Sequence, residues 1–210
     1  MKNIQKKPVI TISRQFGSGG HSIAKRLSKE LGIPFLDKEI VERAAEESGY
    51  THEYIENEGE HLRKGKRLLD DFLLSNAPGY EDPQKELYRI QKEIILKAAE
   101  HPCIIVGRCA DYILQEAGVD SFHVLIHASE KFRARRIEAR YGRTEVPAMK
   151  RLQEKDRERN AYYRHFTKRE WGVCQNYQLI LDSGYLGEDT CVRLILTAIG
   201  GEKRAPEDLY

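Results

Sequence analysis

The chain has 210 residues, of which 40% are hydrophobic and 32% are charged, with a formal net charge of +2 at pH 7. This length suits one α/β domain with a full core, and no apolar run approaches the length of a membrane span. The four cysteines have neither C-x-x-C spacing nor paired histidines, which argues against a disulfide framework and a zinc site. The lysine-bearing N-terminus has no signal-type apolar core, so we expect a cytoplasmic protein without membrane association.

A strand, a glycine-rich turn and a helix follow one another near the N-terminus. The β-branched run at residues 9–13 predicts a buried strand, and residues 22–31 have helical spacing. Glycines between them let backbone N–H groups converge on an anion, and the helix N-terminus adds its free donors. The alternative is that the glycines only form a tight turn. We predict a loop that binds a phosphorylated ligand such as a nucleotide, built from Gly17, Ser18, Gly19, Gly20, His21 and Ser22.

The loop departs from the usual phosphate-binding pattern, G-x-x-x-x-G-K-[ST], because it has no lysine. If Gly20 is the last loop glycine, His21 stands at the lysine position; if Gly19 is, Gly20 stands there. A helix N-terminus disfavours a charged histidine, so Arg14 or an arginine from farther along the chain would have to supply the charge. Ser22 is the predicted hydroxyl that reaches a metal ion.

The remaining predicted elements alternate between helices and strands. In chain order they are a short strand within residues 32–37, helices at 38–48, 66–76 and 84–100, a strand at 102–106, a glycine turn at 107–111, a helix at 112–116, a strand at 122–126, a helix at 130–141, one or two helices over 148–166, a strand at 177–181 and a helix at 189–199. This alternation predicts a mostly parallel sheet covered on both faces, with ligands at the carboxyl ends of the strands. The apolar stripe at 84–100 leaves open whether that helix packs on the core or on a second copy in a homo-oligomer.

Several charged side chains fall at the predicted ligand edge. Arg14 and Arg108 follow buried strands, and a guanidinium matches phosphate oxygens in pairs. Asp37 and Asp111 each fit either a helix cap or a ligand contact. Arg157 and Arg159 diverge by about 200° on a helix. They either meet a ligand or belong to a solvated helix paired with neighbouring carboxylates.

A basic block runs from Lys131 to Arg169, with 14 lysines and arginines against 5 acidic residues. Such a block indicates an anionic ligand. Nucleic-acid binding is an alternative, since Tyr162, Tyr163 and Trp171 could stack bases. The same aromatic residues could equally pack a helix on the core, and a nucleic-acid partner would leave the glycine loop unexplained. We therefore expect a small anionic ligand in preference to nucleic acid.

Together these motifs resemble the cytidylate kinase-like family of P-loop proteins over residues 9–199. The resemblance is carried by I-S-R-Q-F-G-S-G-G-H-S-I-A at 12–24, F-L-D at 35–37, I-V-G-R-C-A-D at 105–111, D-R-E-R at 156–159 and L-D-S at 181–183. It implies an α/β, three-layer P-loop NTPase fold with a five-stranded parallel sheet. It also implies one kinase-like domain over residues 1–210, with a helical segment at 38–100 that binds a nucleoside monophosphate and a lid at 143–169.

The reaction implied by the resemblance moves the γ-phosphoryl of ATP, with Mg²⁺, onto a nucleoside monophosphate or another small acceptor. The residues matching Asp37 and Arg108 would lie near the acceptor, with Asp111 beside them. Those matching Arg157 and Arg159 would neutralise the transferring phosphate, together with Arg14. Val106 and Cys109 replace acidic residues of cytidylate kinases, so base specificity does not carry over. The second hypothesis is a weakly active or inactive nucleotide- or anion-binding protein that keeps the fold.

Overall fold

The computed structural model of this protein describes residues 8–37, 40, 46 and 83–200. Of the helix predicted at 38–48, only positions 40 and 46 are described, and both are helical. The helix predicted at 66–76 lies outside the described residues. So does most of the predicted acceptor-binding segment.

A five-stranded, fully parallel sheet forms the centre of the molecule, in the order β2-β3-β1-β4-β5. The strands are β1 (Val9–Arg14), β2 (Phe35–Leu36), β3 (Ile104–Val106), β4 (Ser121–His127) and β5 (Leu179–Asp182). In the central strand, Ile10 stands opposite Ile104 on one side and Phe122 on the other. Because all strands run in the same direction, their carboxyl ends meet at one edge of the sheet.

Seven helices of the described chain surround this sheet. They are α1 (Gly20–Leu31), α2 (Pro83–Ala98), α3 (Ala110–Glu116), α4 (Glu130–Tyr141), α5 (Ala148–Thr167), α6 (Ser183–Leu186) and α7 (Glu188–Gly200). The segment over 148–166 is one continuous helix, since neither glycine nor proline interrupts it. None of the described helices is both long enough and apolar enough to cross a bilayer.

The two faces of the sheet carry separate apolar cores. Ile10 and Ile12 pack on one face with side chains from α1 and α7, including Ile23, Leu27 and Ile195. Val9 and Ile105 face the other way and pack with α2, α3 and the tyrosines of α5. Alternate strand residues point to opposite faces, so this division follows from the period of the strand. The predicted three-layer α/β fold with a five-stranded parallel sheet is confirmed.

The apolar stripe of α2 packs on the core of its own chain. Leu87, Ile90, Ile94 and Ile95 are each at most 4% exposed and belong to the core that contains β3 and α3. The sequence left open whether this stripe packs on the core or on a second copy of the chain. In the structure it packs on the core of its own chain.

Candidate active site

The glycine-rich loop connects β1 to α1 and is tied down by its neighbours. Ser18 is buried, and its hydroxyl donates to the Gln15 carbonyl at 2.8 Å. The Ser18 carbonyl accepts from the Ser183 hydroxyl at 2.5 Å, which links the loop to the end of β5. Helix α1 begins at Gly20, two residues before the predicted start, because Gly19 takes the left-handed conformation that ends the loop.

None of the three loop glycines can take a side chain without strain or a shift of its neighbours. Gly17 has φ +81°, and a Cβ there would lie 2.9 Å from the Arg133 carbonyl. Gly19 has φ +86°, and a Cβ built there would lie 2.8 Å from the Glu188 carboxylate. A Cβ at Gly20 would lie 2.5 Å from the Cβ of Arg14. The loop is therefore pressed against Arg14 on one side and against α4 and α7 on the other.

His21, which stands at the lysine position of the usual loop if Gly20 is the last loop glycine, pairs with Asp37. Its Nδ1 lies 2.8 Å from the Asp37 Oδ2, and its ring stands edge-on against Phe35, with centroids 5.1 Å apart. Asp37 also faces Arg14, whose Nη2 lies 3.9 Å from the carboxylate. The structure thus joins three predicted site residues in one ionic cluster at the ends of β1 and β2.

Two arginines of α4 supply positive charge at the start of α1. Arg136 donates from Nη2 to the Ser22 hydroxyl at 3.2 Å, and Arg140 donates from Nη1 to the same oxygen at 3.5 Å. Arg136 also forms an ion pair with Glu188. Both arginines belong to the basic block, but no sequence motif singles them out. Their i,i+4 spacing, which puts two side chains on one helix face, was the available signal.

Ser22, predicted to reach Mg²⁺, does not fit that ion in this arrangement. Two guanidinium groups already donate to the Ser22 hydroxyl oxygen, through which a metal ion would have to bind. A magnesium ion at about 2.1 Å from the oxygen would lie within about 5 Å of the Arg136 guanidinium and would be repelled by it, although the paired Glu188 carboxylate offsets part of that repulsion. In the part of the chain that the structure describes, no three acidic, histidine or cysteine side chains cluster to hold a metal.

A small cleft opens at the carboxyl ends of β1 and β3. It brings together three of the predicted arginines, Arg14, Arg108 and Arg159, with three aromatic side chains, Tyr162, Tyr163 and Trp171. Ser13, Gly107 and Cys109 complete its lining. Guanidinium groups match anionic oxygens in pairs, so three of them beside aromatic surfaces could hold an anionic, partly apolar molecule.

A strained turn presents Arg108 to this cleft. Gly107, Arg108 and Cys109 have φ values of +72°, +58° and +55°, so two consecutive residues with side chains are left-handed. That conformation costs a non-glycine residue about 1–2 kcal/mol and persists where the surroundings enforce it, often at functional sites. Cys109 is also the residue that precedes α3, and Arg108 is only 5% exposed.

Helix α5 is fastened to the glycine loop through Asp156. One oxygen of this carboxylate accepts the Phe16 N–H at 2.8 Å, and the other accepts from Arg133 Nη1 at 2.5 Å. The buried Arg133 also donates to the Phe16 and Ala128 carbonyls, each at 3.0 Å. In the sequence, Asp156 appears only as the first residue of the D-R-E-R motif, and no motif singles out Arg133.

Arg159 and Arg157 have different surroundings. Arg159 lines the cleft and donates to the Arg14 carbonyl at 3.3 Å. Arg157 is exposed and is not part of the cleft lining. The 200° separation on one helix accounts for this difference. The role of Arg157 in a lid stays a prediction.

Asp111 lies behind the cleft wall and is not among the lining residues. It is 4% exposed and accepts a hydrogen bond of 2.9 Å from the Tyr163 hydroxyl. Burial raises the pKa of Asp111 to about 6, although the hydrogen bond from Tyr163 opposes the rise. In this structure Asp111 would reach an acceptor through Tyr163, which does line the cleft.

Residues 9–185 match the profile of the cytidylate kinase-like family. The chain belongs to this family. No curated protein sequence matches the chain significantly.

Solved structures share the fold of this family member. An uncharacterized protein from Eubacterium ventriosum ATCC 27560 superposes with a TM-score of 0.69 at 23% identity, covering 93% of this chain and 100% of that one. Shikimate kinase from Bacteroides thetaiotaomicron has a TM-score of 0.54 at 14% identity, covering 92% and 99%. A tunicamycin resistance protein from Deinococcus radiodurans has a TM-score of 0.51 at 16% identity, covering 96% and 100%. At these identities the likeness shows the fold alone, that of P-loop kinases.

Proposed function

We propose that this protein transfers the γ-phosphoryl group of ATP to a small anionic acceptor bound in the cleft, with a nucleoside monophosphate as the first candidate. The acceptor oxygen would form a bond to the γ-phosphorus while the bond from that phosphorus to the β–γ bridging oxygen breaks, which releases ADP. Phosphoryl transfer needs positioning and charge neutralisation more than covalent chemistry. Membership of a kinase-like family supports this reaction class.

One observation carries the proposal: the glycine loop and the arginine-lined cleft share Arg14. The side chain of Arg14 lines the cleft, while its Cβ packs against Gly20 of the loop. A phosphate on the loop and an anion in the cleft would therefore bind on opposite sides of one residue, which suits transfer between them. Arg108 and Arg159 would hold the acceptor's anionic group, and loop N–H groups would hold the donor phosphates.

The second candidate function is nucleotide or anion binding without turnover. The pairing of His21 with Asp37 favours it, because the side chain at the lysine position is directed to a carboxylate. Loss of one charged contact to a transition state typically lowers kcat by two to three orders of magnitude.

ADP release in a coupled assay separates the two functions. The acceptor panel contains CMP, other nucleoside monophosphates and small alcohols, each with ATP and Mg²⁺. We expect turnover with at least one anionic acceptor. We also expect Arg108→Gln to lower kcat/KM for that acceptor by about 10²-fold. If none of the acceptors gives ADP release although the protein binds ADP tightly, the proposed transfer is contradicted and the binding function is supported.

Matched variants separate the loop from the cleft. Gly19→Val should abolish ADP binding in calorimetry, since Gly19 has φ +86°, a left-handed conformation that a β-branched residue adopts only with strain. Arg108→Gln should leave ADP binding unchanged, and Arg89→Gln, which removes an exposed ion pair on α2, should leave both measurements unchanged. A fall in ADP affinity for Arg108→Gln equal to its fall in kcat/KM would contradict the assignment of Arg108 to the acceptor.

A further inference from the structure

We propose that Arg136 and Arg140 take over the work that a lysine and a protein-held Mg²⁺ ion share in other phosphate loops. The loop of this protein would then bind nucleotide phosphates without a metal. The inference rests on the proposed function to the extent that the loop binds a nucleotide, and it concerns only how the phosphate charge is neutralised.

The first support is the position of the two guanidinium groups. Ser22 is the third residue of α1, where phosphate-binding loops present their hydroxyl to a metal. Arg136 and Arg140 both donate to that hydroxyl. Being four residues apart on α4, they reach it from one helix face.

The second support is the close contact between Arg136 and the loop itself. A Cβ on Gly19 would lie 3.3 Å from both the Cζ and the Nη2 of Arg136. The guanidinium therefore lies directly against the loop. Its ion pair with Glu188, the first residue of α7, anchors it in that place.

The third support is that two carboxylates near the loop, those of Asp37 and Glu188, already face arginine side chains. Asp37 faces His21 and Arg14, and Glu188 faces Arg136. Mg²⁺ is normally held by carboxylates together with substrate phosphates. A guanidinium presents a rigid fork of donors that matches phosphate oxygens. The chemistry around Ser22 thus suits a phosphate approaching two arginines.

The experiment measures the affinity for ADP by calorimetry in excess EDTA and again in excess Mg²⁺. For the unmodified protein we expect the two dissociation constants to agree within about threefold. For the double variant Arg136→Gln/Arg140→Gln we expect affinity in EDTA to fall by about tenfold or more, with partial recovery in Mg²⁺. Arg140→Gln alone should show the same pattern with a smaller change. Because Arg140 is exposed, this single variant should fold normally and keeps the test valid if the double variant misfolds.

Two further variants complete the design. Arg135→Gln removes an exposed arginine of the same helix and should match the unmodified protein in both buffers. Ser22→Ala should change affinity by the same factor in both buffers, whereas a metal bound to Ser22 would make the loss specific to Mg²⁺.

The inference is overturned if the unmodified protein binds ADP more than about tenfold tighter in Mg²⁺ than in EDTA. A loss specific to Mg²⁺ in Ser22→Ala would overturn it as well. Failure of ADP to bind in either buffer would remove the proposed function, and the inference with it. Metal-dependent binding would leave the proposed function intact, so the two failures are distinguishable.

Discussion

Asp111 and His123 are two buried ionisable residues whose effects on stability oppose each other. Burial raises the pKa of Asp111 to about 6, so between pH 4 and 6 the folded state holds a proton that the unfolded chain has lost. Stability therefore falls as pH rises through that window, by about 3 kcal/mol. Burial lowers the pKa of His123 to about 4, so from pH 4 to 6.5 the unfolded chain holds the extra proton. That contribution rises with pH by about 3 kcal/mol.

We predict that single substitutions will reveal how each residue makes the free energy of unfolding depend on pH. Relative to the unmodified protein, Asp111→Asn should gain stability as pH rises from 4 to 6. The reason is that the variant lacks the Asp111 carboxyl, whose contribution to stability falls over that range. His123→Gln should lose stability relative to the unmodified protein over nearly the same range. Urea unfolding at several pH values measures both differences. Curves that run parallel to that of the unmodified protein would contradict the assignment.

Among individual residues, the sequence predicted the positions of the cleft arginines better than those of the arginines at the loop. Arg14 and Arg108 follow strands, and parallel strands end at one edge, so their meeting was predictable. Arg136, Arg140 and Arg133 lie on a helix whose rotation depends on how α4 docks against the loop. Sequence spacing gives the faces of a helix, but it does not give which face meets which neighbour.

Among the elements, α5 combines two roles along its length. Asp156 in its middle binds the Phe16 N–H and the buried Arg133, while Tyr162 and Tyr163 farther along belong to the core. The predicted lid at 143–169 therefore includes a stretch packed in the interior. Any lid movement would concern the part of the segment before Asp156, and this division stays a proposal.

We predict that Asp156→Ala lowers the free energy of unfolding by about 3 kcal/mol or more, because it leaves the charge of Arg133 buried without its carboxylate. Glu93→Ala, which breaks an exposed ion pair on α2, should cost less than about 1 kcal/mol. Chemical denaturation measures both values. Equal costs would show that Asp156 is no more than a surface residue.

The sequence located the elements well where periodicity was strong. Helix α4 has the predicted bounds, residues 130–141, because Ser129 caps it and Gly142 ends it. The start of β5 shifted from the predicted residue 177 to 179, since a 3₁₀ turn at Cys174–Asn176 ends at Tyr177. The left-handed Gly19 moved the start of α1. Such boundary conformations are set by local packing that an apolar pattern does not reveal.

For the whole molecule, the two cores decide which segments unfold together. Helix α2 ends the segment predicted to bind the acceptor, yet its stripe is buried against β3 and α3. The family resemblance gave the five-stranded parallel architecture. Strand alternation alone predicted a parallel sheet without its order, which requires knowing how each crossover connects.

We predict that Ile95→Ala on α2 destabilises the entire molecule, by about 2–5 kcal/mol, since this side chain is fully buried. Leu194→Ala on α7, at a position 40% exposed, should cost less than half as much. Thermal unfolding followed by circular dichroism should show one transition in both variants. A separate early transition in Ile95→Ala would mean that α2 melts independently of the sheet.

The contacts of Arg14 constrain which positions of the cleft can be varied. Its side chain helps form the cleft, its carbonyl accepts from Arg159, and its Cβ fills the space beside Gly20. Replacing Arg14 would disturb the glycine loop and the cleft at the same time. Trp171 borders the cleft from outside the loop. A library aimed at altered selectivity should therefore randomise position 171 and keep position 14 fixed.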